Sequence, residues 1–321
     1  MRFAIYFRNI NEGNMRLARQ IDVTDAVTGR PLDDDDGPVW NYLPLLRLKQ
    51  RFADSGLNLS VLETIPISDR IKLGLPGRDE DLDYYIQSIR NMGAAGIPIL
   101  CYNWMAVFGW FRTSFTSRTR GDALVSSFDN DLLKNAPPVY EGEEITEDQL
   151  WEGLDYFLKA VVPVAEEAGV QLAMHPDDPP MSPVRGVGRI MRSVDNFQRL
   201  LDMYPSPNNG LTFCQGNFAA MGADIPAAIK QFGDQGKMFF VHFRDVRGTV
   251  PKFEETFHDD GDNNMAAAMK AYVDTGFAGP MRPDHTPTLE GEANDNPGYM
   301  VMGRLHAIGY MKGLLHGVQG K

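Results

Sequence analysis

The chain has 321 residues, 43% of them hydrophobic, enough to bury the core of one large domain or of two ordinary ones. Its 43 acidic residues outnumber 31 lysines and arginines, and a net charge of −12 gives no general attraction to nucleic acid or anionic lipid. No run approaches the roughly 20 apolar residues of a membrane span, and the opening Met1 to Arg8 is too short and too charged for a secretory leader, so the expectation is a cytoplasmic protein without a membrane partner.

Short apolar, β-branched or aromatic runs alternate with amphipathic segments along the chain, which is the pattern of βα units around a parallel sheet. Strands are predicted at residues 2–7, 21–27, 57–63, 97–102, 170–175, 210–214, 238–243 and 279–284. A helix is predicted from Asp81 to Met92, ended by Gly93 and Gly96. The strongest helical pattern runs from Thr146 to Ala168, where Leu150, Leu154, Phe157, Leu158, Val161, Val162 and Ala165 share one face. Thr146 and Gln149 fit a capping box at its start, and Gly169 stops it.

Eight such pairs in 321 residues predict an α/β chain folded as a single (β/α)₈ TIM barrel domain spanning 1–321, with an open doubly wound sheet as the alternative. Two long loops stand out, residues 28–38 and 103–145. The first carries the acidic run Asp33 to Asp36, read as a solvated loop, and the second carries Arg112, Arg118 and Arg120. Loops that follow barrel strands build the active site, so both belong to the functional face.

Cys101 and Cys214 provide no disulfide framework and stand as thiols or metal ligands. Four metal-competent side chains sit at the ends of the last four predicted strands: His175, Cys214, His242 and Asp284. Parallel neighbours in a barrel bring such positions to one rim, however distant they are in sequence. Two imidazoles, a thiolate and a carboxylate suit divalent Mn, Fe, Co or Zn better than Mg or Ca. A catalytic ion with four protein ligands needs further open positions, which favours Mn²⁺ or Fe²⁺. Taken singly, each ligand is as readily a hydrogen-bonded histidine or a buried cysteine.

After His175 comes Pro176-Asp177-Asp178-Pro179-Pro180, and Asp177 or Asp178 can either fix the tautomer of an imidazole or cap a turn. Arg282 and Arg244 each lie two residues from a candidate ligand and share its face of the strand. Either can pair with a substrate carboxylate or form a structural ion pair with loop acids.

Several motifs in fixed order resemble the mannonate dehydratases: Cys101-Tyr102-Asn103, Val164 to Val170, His175-Pro176-Asp177-Asp178-Pro179-Pro180, Thr212-Phe213-Cys214, Arg282-Pro283-Asp284-His285 and Asn296-Pro297-Gly298-Tyr299. The resemblance runs from about residue 57 to the C-terminus. It implies a xylose-isomerase-like barrel and a Mn²⁺-dependent lyase that converts the aldonate D-mannonate into 2-keto-3-deoxy-D-gluconate and water. It also implies His175, Cys214, His242 and Asp284 as metal ligands and His285 and Tyr299 as the acid/base pair, with Asn103, Arg244 and Arg282 as candidate substrate contacts. The chain departs from the family pattern at Ala26 to Pro31 and at Thr286-Pro287, on the rim expected to meet substrate. Two other readings stay open. One is a sugar isomerase or epimerase on the same barrel, for which Glu63 and Asp284 are the strand-end acids, and the other is a non-catalytic, metal-stabilised binding protein. A homo-oligomer is compatible with all three.

Overall fold

A computed structural model describes residues 1–29, 37–137, 139–140 and 144–321. The acidic run Asp33 to Asp36, and Arg30 and Pro31 of the altered rim, lie outside these residues.

Eight strands predicted from the apolar runs form a closed parallel barrel: β1 (Arg2–Tyr6), β2 (Asp25–Thr28), β3 (Asn58–Glu63), β4 (Ile99–Asn103), β7 (Gln171–His175), β8 (Asn209–Cys214), β9 (Met238–Phe243) and β12 (Pro280–Pro283). Around the barrel the order is β1-β12-β9-β8-β7-β4-β3-β2. These strands read as near-continuous apolar runs because the barrel interior covers one face and helices the other; β8 and β9 are buried at every residue. Ala4, Val27, Val61, Ile99, Cys101, Ala173, Phe239 and Phe240 fill the interior, and a larger core lies between strands and helices.

The second strand begins four residues later than predicted, because residues 21–24 form a turn and an extended lead-in before pairing starts at Asp25. The last strand ends at Pro283, so Asp284 follows it directly.

Helices α1 (Glu12–Gln20), α2 (Tyr42–Asp54), α3 (Asp69–Leu73), α4 (Arg78–Ala94), α5 (Glu147–Ala168), α6 (Val194–Met203), α7 (Gln215–Ala220), α8 (Ile225–Asp234), α9 (Met265–Asp274) and α10 (Val301–Gln319) occupy the connections. Helix α5 begins as expected, with Thr146 Oγ1 accepting from the Gln149 N–H at 3.2 Å, and ends at Gly169 in the left-handed conformation. The capping box is only half formed. The Gln149 amide donates instead to the Leu73 carbonyl at 3.0 Å and so ties α5 to α3.

The segment 103–145 is not one irregular loop. It carries β5 (Ser114–Arg118) and β6 (Leu124–Asp129), and the connection after β9 carries β10 (Val246–Thr249) and β11 (Lys252–Glu255). Together they form an antiparallel sheet in the order β10-β11-β6-β5, which sits beside the barrel mouth. Its strands are short and half exposed, so they carry no continuous apolar run to announce them.

Close packing fixes where side chains are tolerated. A Cβ at Gly153 in α5 would lie 2.2 Å from the Lys72 carbonyl oxygen, whereas one at exposed Gly309 in α10 would meet nothing within 4 Å. We expect Gly153→Ala to cost about 1–3 kcal/mol through overpacking, and Gly309→Ala to stabilise by about 0.5–1 kcal/mol. Thermal melts of the two variants check the opposite signs.

Buried His258 donates from Nε2 to the Phe243 carbonyl at 2.7 Å, and burial depresses its pKa from 6.5 to about 4. Its neutral form is the one the fold accepts, so its contribution is intact above pH 6.5. It is lost as falling pH protonates the unfolded chain first, over the window from 6.5 down to about 4. The melting temperature should fall across that window, and His258→Gln should flatten the fall.

Candidate metal centre and active site

The four predicted ligands meet at the C-terminal mouth of the barrel. His175 and Cys214 end β7 and β8, His242 is the penultimate residue of β9, and Asp284 follows β12. Strand register carries them there, with Cys214 opposite His242 and Arg282 opposite His242 on the other side. Ligand atoms of His175, Cys214 and His242 all lie within 4.8 Å of one another. Asp284 Oδ2 is 3.6 Å from His242 Nδ1 and 3.8 Å from Cys214 Sγ.

The His175 nitrogen that faces the centre has a free lone pair. His175 Nδ1 lies 2.7 Å from the Pro176 carbonyl oxygen, which can only accept, so the proton is on Nδ1 and Nε2 is left to coordinate. That Nε2 lies 3.2 Å from His242 Nδ1. His242 Nε2 faces Glu63 Oε1 at 3.4 Å without a well-aligned hydrogen bond. Burial keeps His175 below its ordinary pKa and hence neutral. Burial and Arg282 also disfavour the charged form of His242, but the carboxylates of Glu63 and Asp284 outweigh them and lift it to about 9.

Charge explains that lift. Among the described residues the mouth buries the guanidiniums of Arg112, Arg244 and Arg282 against the carboxylates of Asp178, Glu255, Glu63 and Asp284. Three cations against four anions leave one negative charge, and a Cys214 thiolate makes two. A divalent ion balances the site, so the donor set and the charge both fit one. A second cluster, Glu63, Cys101 and His242, also satisfies the distance criterion for a metal. It is the poorer candidate, because burial and the Glu63 charge push the Cys101 thiol well above its usual pKa and Glu63 is paired with Arg282 at 2.8 Å.

The remaining predicted residues fall on several sides of this centre. Asn103 ends β4 opposite His175 and lines the cavity, although its side-chain oxygen also accepts from the Met105 N–H at 3.2 Å. Arg282 borders the cavity and bridges Glu63 and Asp284. Arg244 lies behind it, fully buried, bound to Glu255, Asp178 and Asn217, with Nη1 3.5 Å from Cys214 Sγ. Of the two roles open to Arg244, the ion pair with loop acids is the one the geometry displays. Neither aspartate of the His-Pro-Asp-Asp-Pro-Pro run bonds an imidazole. Asp177 accepts from the Met191 N–H at 2.7 Å and Asp178 pairs with Arg112 and Arg244, while a backbone carbonyl sets the His175 tautomer.

His285 and Tyr299 flank Asp284. The Tyr299 hydroxyl donates to Asp284 Oδ1 at 3.2 Å, and His285 Nε2 is 3.7 Å from the same oxygen. The two rings meet edge to face, centroids 5.5 Å apart. His285 has φ +44°, and Gly298 at φ +86° makes room for it, since a Cβ there would sit 3.2 Å from His285 Cα. Thr286, one of the altered rim residues, donates its N–H to Gly298 O at 2.9 Å in an antiparallel bridge that brings Gly298 beside His285. His175, His242, Asp284, His285, Tyr299, Arg282 and Asn103 border one cavity of about 220 Å³, whose lining does not include Cys214, with Trp110 beside His285 at a centroid distance of 5.0 Å.

Sequence reasoning missed Glu255, Trp110 and Asn217. The only available signal was an acid in the alternating run Lys252-Phe253-Glu254-Glu255, and nothing local linked it to His285.

If His175, Cys214 and His242 hold the ion, His175→Ala and Cys214→Ala should each abolish stoichiometric metal after loading with Mn²⁺ and desalting, whereas Cys101→Ala should retain it. Elemental analysis checks this, and loss of metal in Cys101→Ala alone would move the site to the other cluster.

Comparison with known proteins places the chain in a family. The family model described as D-mannonate dehydratase (UxuA) matches residues 1–139 and 131–321. Mannonate dehydratase 2 of Halalkalibacterium halodurans is 36% identical over 98% of both chains. The mannonate dehydratase of Thermotoga maritima is 36% identical over 92% of this chain and 91% of its own. The crystal structure of mannonate dehydratase from Streptococcus suis serotype 2 superposes with a TM-score of 0.92 at 33% identity, covering 100% of this chain and 95% of that one. The chain belongs to the D-mannonate dehydratase family.

Proposed function

We propose that this chain dehydrates D-mannonate, or a close aldonate analogue, to the 2-keto-3-deoxy acid, using a divalent ion, Mn²⁺ or Fe²⁺, on His175, Cys214, His242 and Asp284. The observation that carries the reading is the placement of two proton carriers, His285 and Tyr299, against ligand Asp284 at one cavity. The relatives named for mannonate dehydration support the substrate. An acidic chain with no helix, among the described residues, long and apolar enough to cross a membrane fits a cytoplasmic enzyme for a small sugar acid.

The reaction breaks the C2–H and C3–O bonds, forms an enol, releases the 3-hydroxyl as water and returns the enol to a ketone. The C2 proton is weakly acidic because its loss adds charge beside a carboxylate. A bound divalent ion supplies electrostatic stabilisation of that charge. His285 and Tyr299 together provide the base that takes the C2 proton and the acid that protonates the departing hydroxyl. Arg282 orients Asp284 through the 2.7 Å bond from Nη1 and ties it to Glu63, so these two acids offset its charge while it borders the cavity. Trp110 covers His285 and limits water around it.

Incubating the Mn²⁺-loaded protein with a panel of aldonates should yield 2-keto-3-deoxy product, with mannonate among the substrates. His285→Asn and Tyr299→Phe should each lower kcat by about 100-fold or more while retaining metal. Absence of turnover on every aldonate would sink the proposal. Product formed without loss of water would point to an isomerase, and aldonate binding without turnover, unaltered in both variants, to a binding protein.

A further inference from the structure

The side sheet brings one more acid to the reacting residues. Glu255, the last residue of β11, is 1% exposed and stands opposite Val246 of β10. Its Oε1 lies 3.1 Å from His285 Nδ1 and accepts from Arg112 Nη2 at 2.7 Å, and its Oε2 accepts from Arg244 Nε at 2.7 Å. Although burial favours the neutral acid, Arg244, His285 and Arg112 hold the carboxyl far below its ordinary range. An ionised carboxylate only accepts, so His285 must carry its proton on Nδ1.

The ring has little freedom to do otherwise. Trp110 packs tilted against it at 5.0 Å, Tyr299 meets it edge-on at 87°, and its backbone, at φ +44°, runs straight into the antiparallel bridge of Thr286 with Gly298. With Nδ1 turned toward the side sheet, Nε2 faces the centre, 3.7 Å from Asp284 Oδ1. Charge balance calls for an acid near Arg112 and Arg244, since Asp178 alone offsets only one of them, but it does not call for that acid's Oε1 to lie on His285 Nδ1.

We propose that Glu255 is a positioning residue for His285: it fixes the Nδ1–H tautomer and directs Nε2 into the cavity. The inference deepens the assignment of His285 to proton transfer and rests on it.

In Mn²⁺-loaded enzyme, Glu255→Ala should lower kcat for 2-keto-3-deoxy acid formation by about 100-fold, with KM changed by no more than about threefold and metal retained. Glu255→Gln keeps an amide oxygen able to accept from Nδ1–H, so it should recover about tenfold of that loss. The tautomer is read directly by ¹⁵N imidazole NMR of the unaltered protein, the His285 signals being identified by their disappearance in His285→Asn. The Nδ1–H pattern is expected, and Nε2–H would overturn the proposal whether or not either Glu255 variant folds. A folded, metal-bearing Glu255→Ala enzyme with kcat within about twofold of the unaltered one would overturn it as well. Should His285→Asn itself keep full turnover, the role given to His285 fails, an outcome distinct from a wrong tautomer.

Discussion

Ions buried away from water have to be balanced within a few ångströms, and the barrel mouth is organised by that requirement. Arg244 pairs with Glu255 and Asp178, Arg112 with the same two acids, and Arg282 with Glu63 and Asp284. Arg112 and Arg244 are therefore shared between the loop after β7 and the side sheet, and Arg282 between the ends of β3 and β12, so removing one partner leaves an uncompensated charge. The surplus of one carboxylate over the guanidiniums makes the centre a place where positive charge is wanted. The same surplus holds a proton on His242 and suits a divalent ion.

The eight barrel strands were legible because burial on both faces makes each a nearly unbroken apolar run. The convergence of His175, Cys214, His242 and Asp284 at one rim was legible for a related reason: they stand at or beside the ends of those runs. Where the physical signal was mixed, the reading drifted. Residues 21–24 look apolar enough to start a strand but form the approach to one, and Gln149 finds a carbonyl in α3 more accessible than its own cap. Strands β5, β6, β10 and β11 alternate polar and apolar residues over four to six positions, too few for a periodicity to stand out.

The least legible part of the site is its network of partners. Glu63 meets Arg282 across 219 positions and Arg112 meets Glu255 across 143, and no local pattern distinguishes those acids from solvated ones. For the proline-framed pair Asp177 and Asp178 the sequence left two roles open, contact with an imidazole or a turn, and the loop turns one carboxylate onto the Met191 backbone and the other onto two arginines. Adjacency in a stiff loop places side chains on different neighbours as readily as on the same one.

The four-stranded sheet beside the mouth is assembled from two distant stretches, β5 and β6 before α5 and β10 and β11 after β9, joined by pairing of Lys252 with Asp129 and Phe253 with Phe128. Chain entropy makes such a contact costly until the intervening strands have closed the loop for it. The cost of joining β6 to β11 therefore falls once β7, β8 and β9 are in register, and the position of Glu255 beside His285 depends on a junction whose entropy the barrel itself has already reduced.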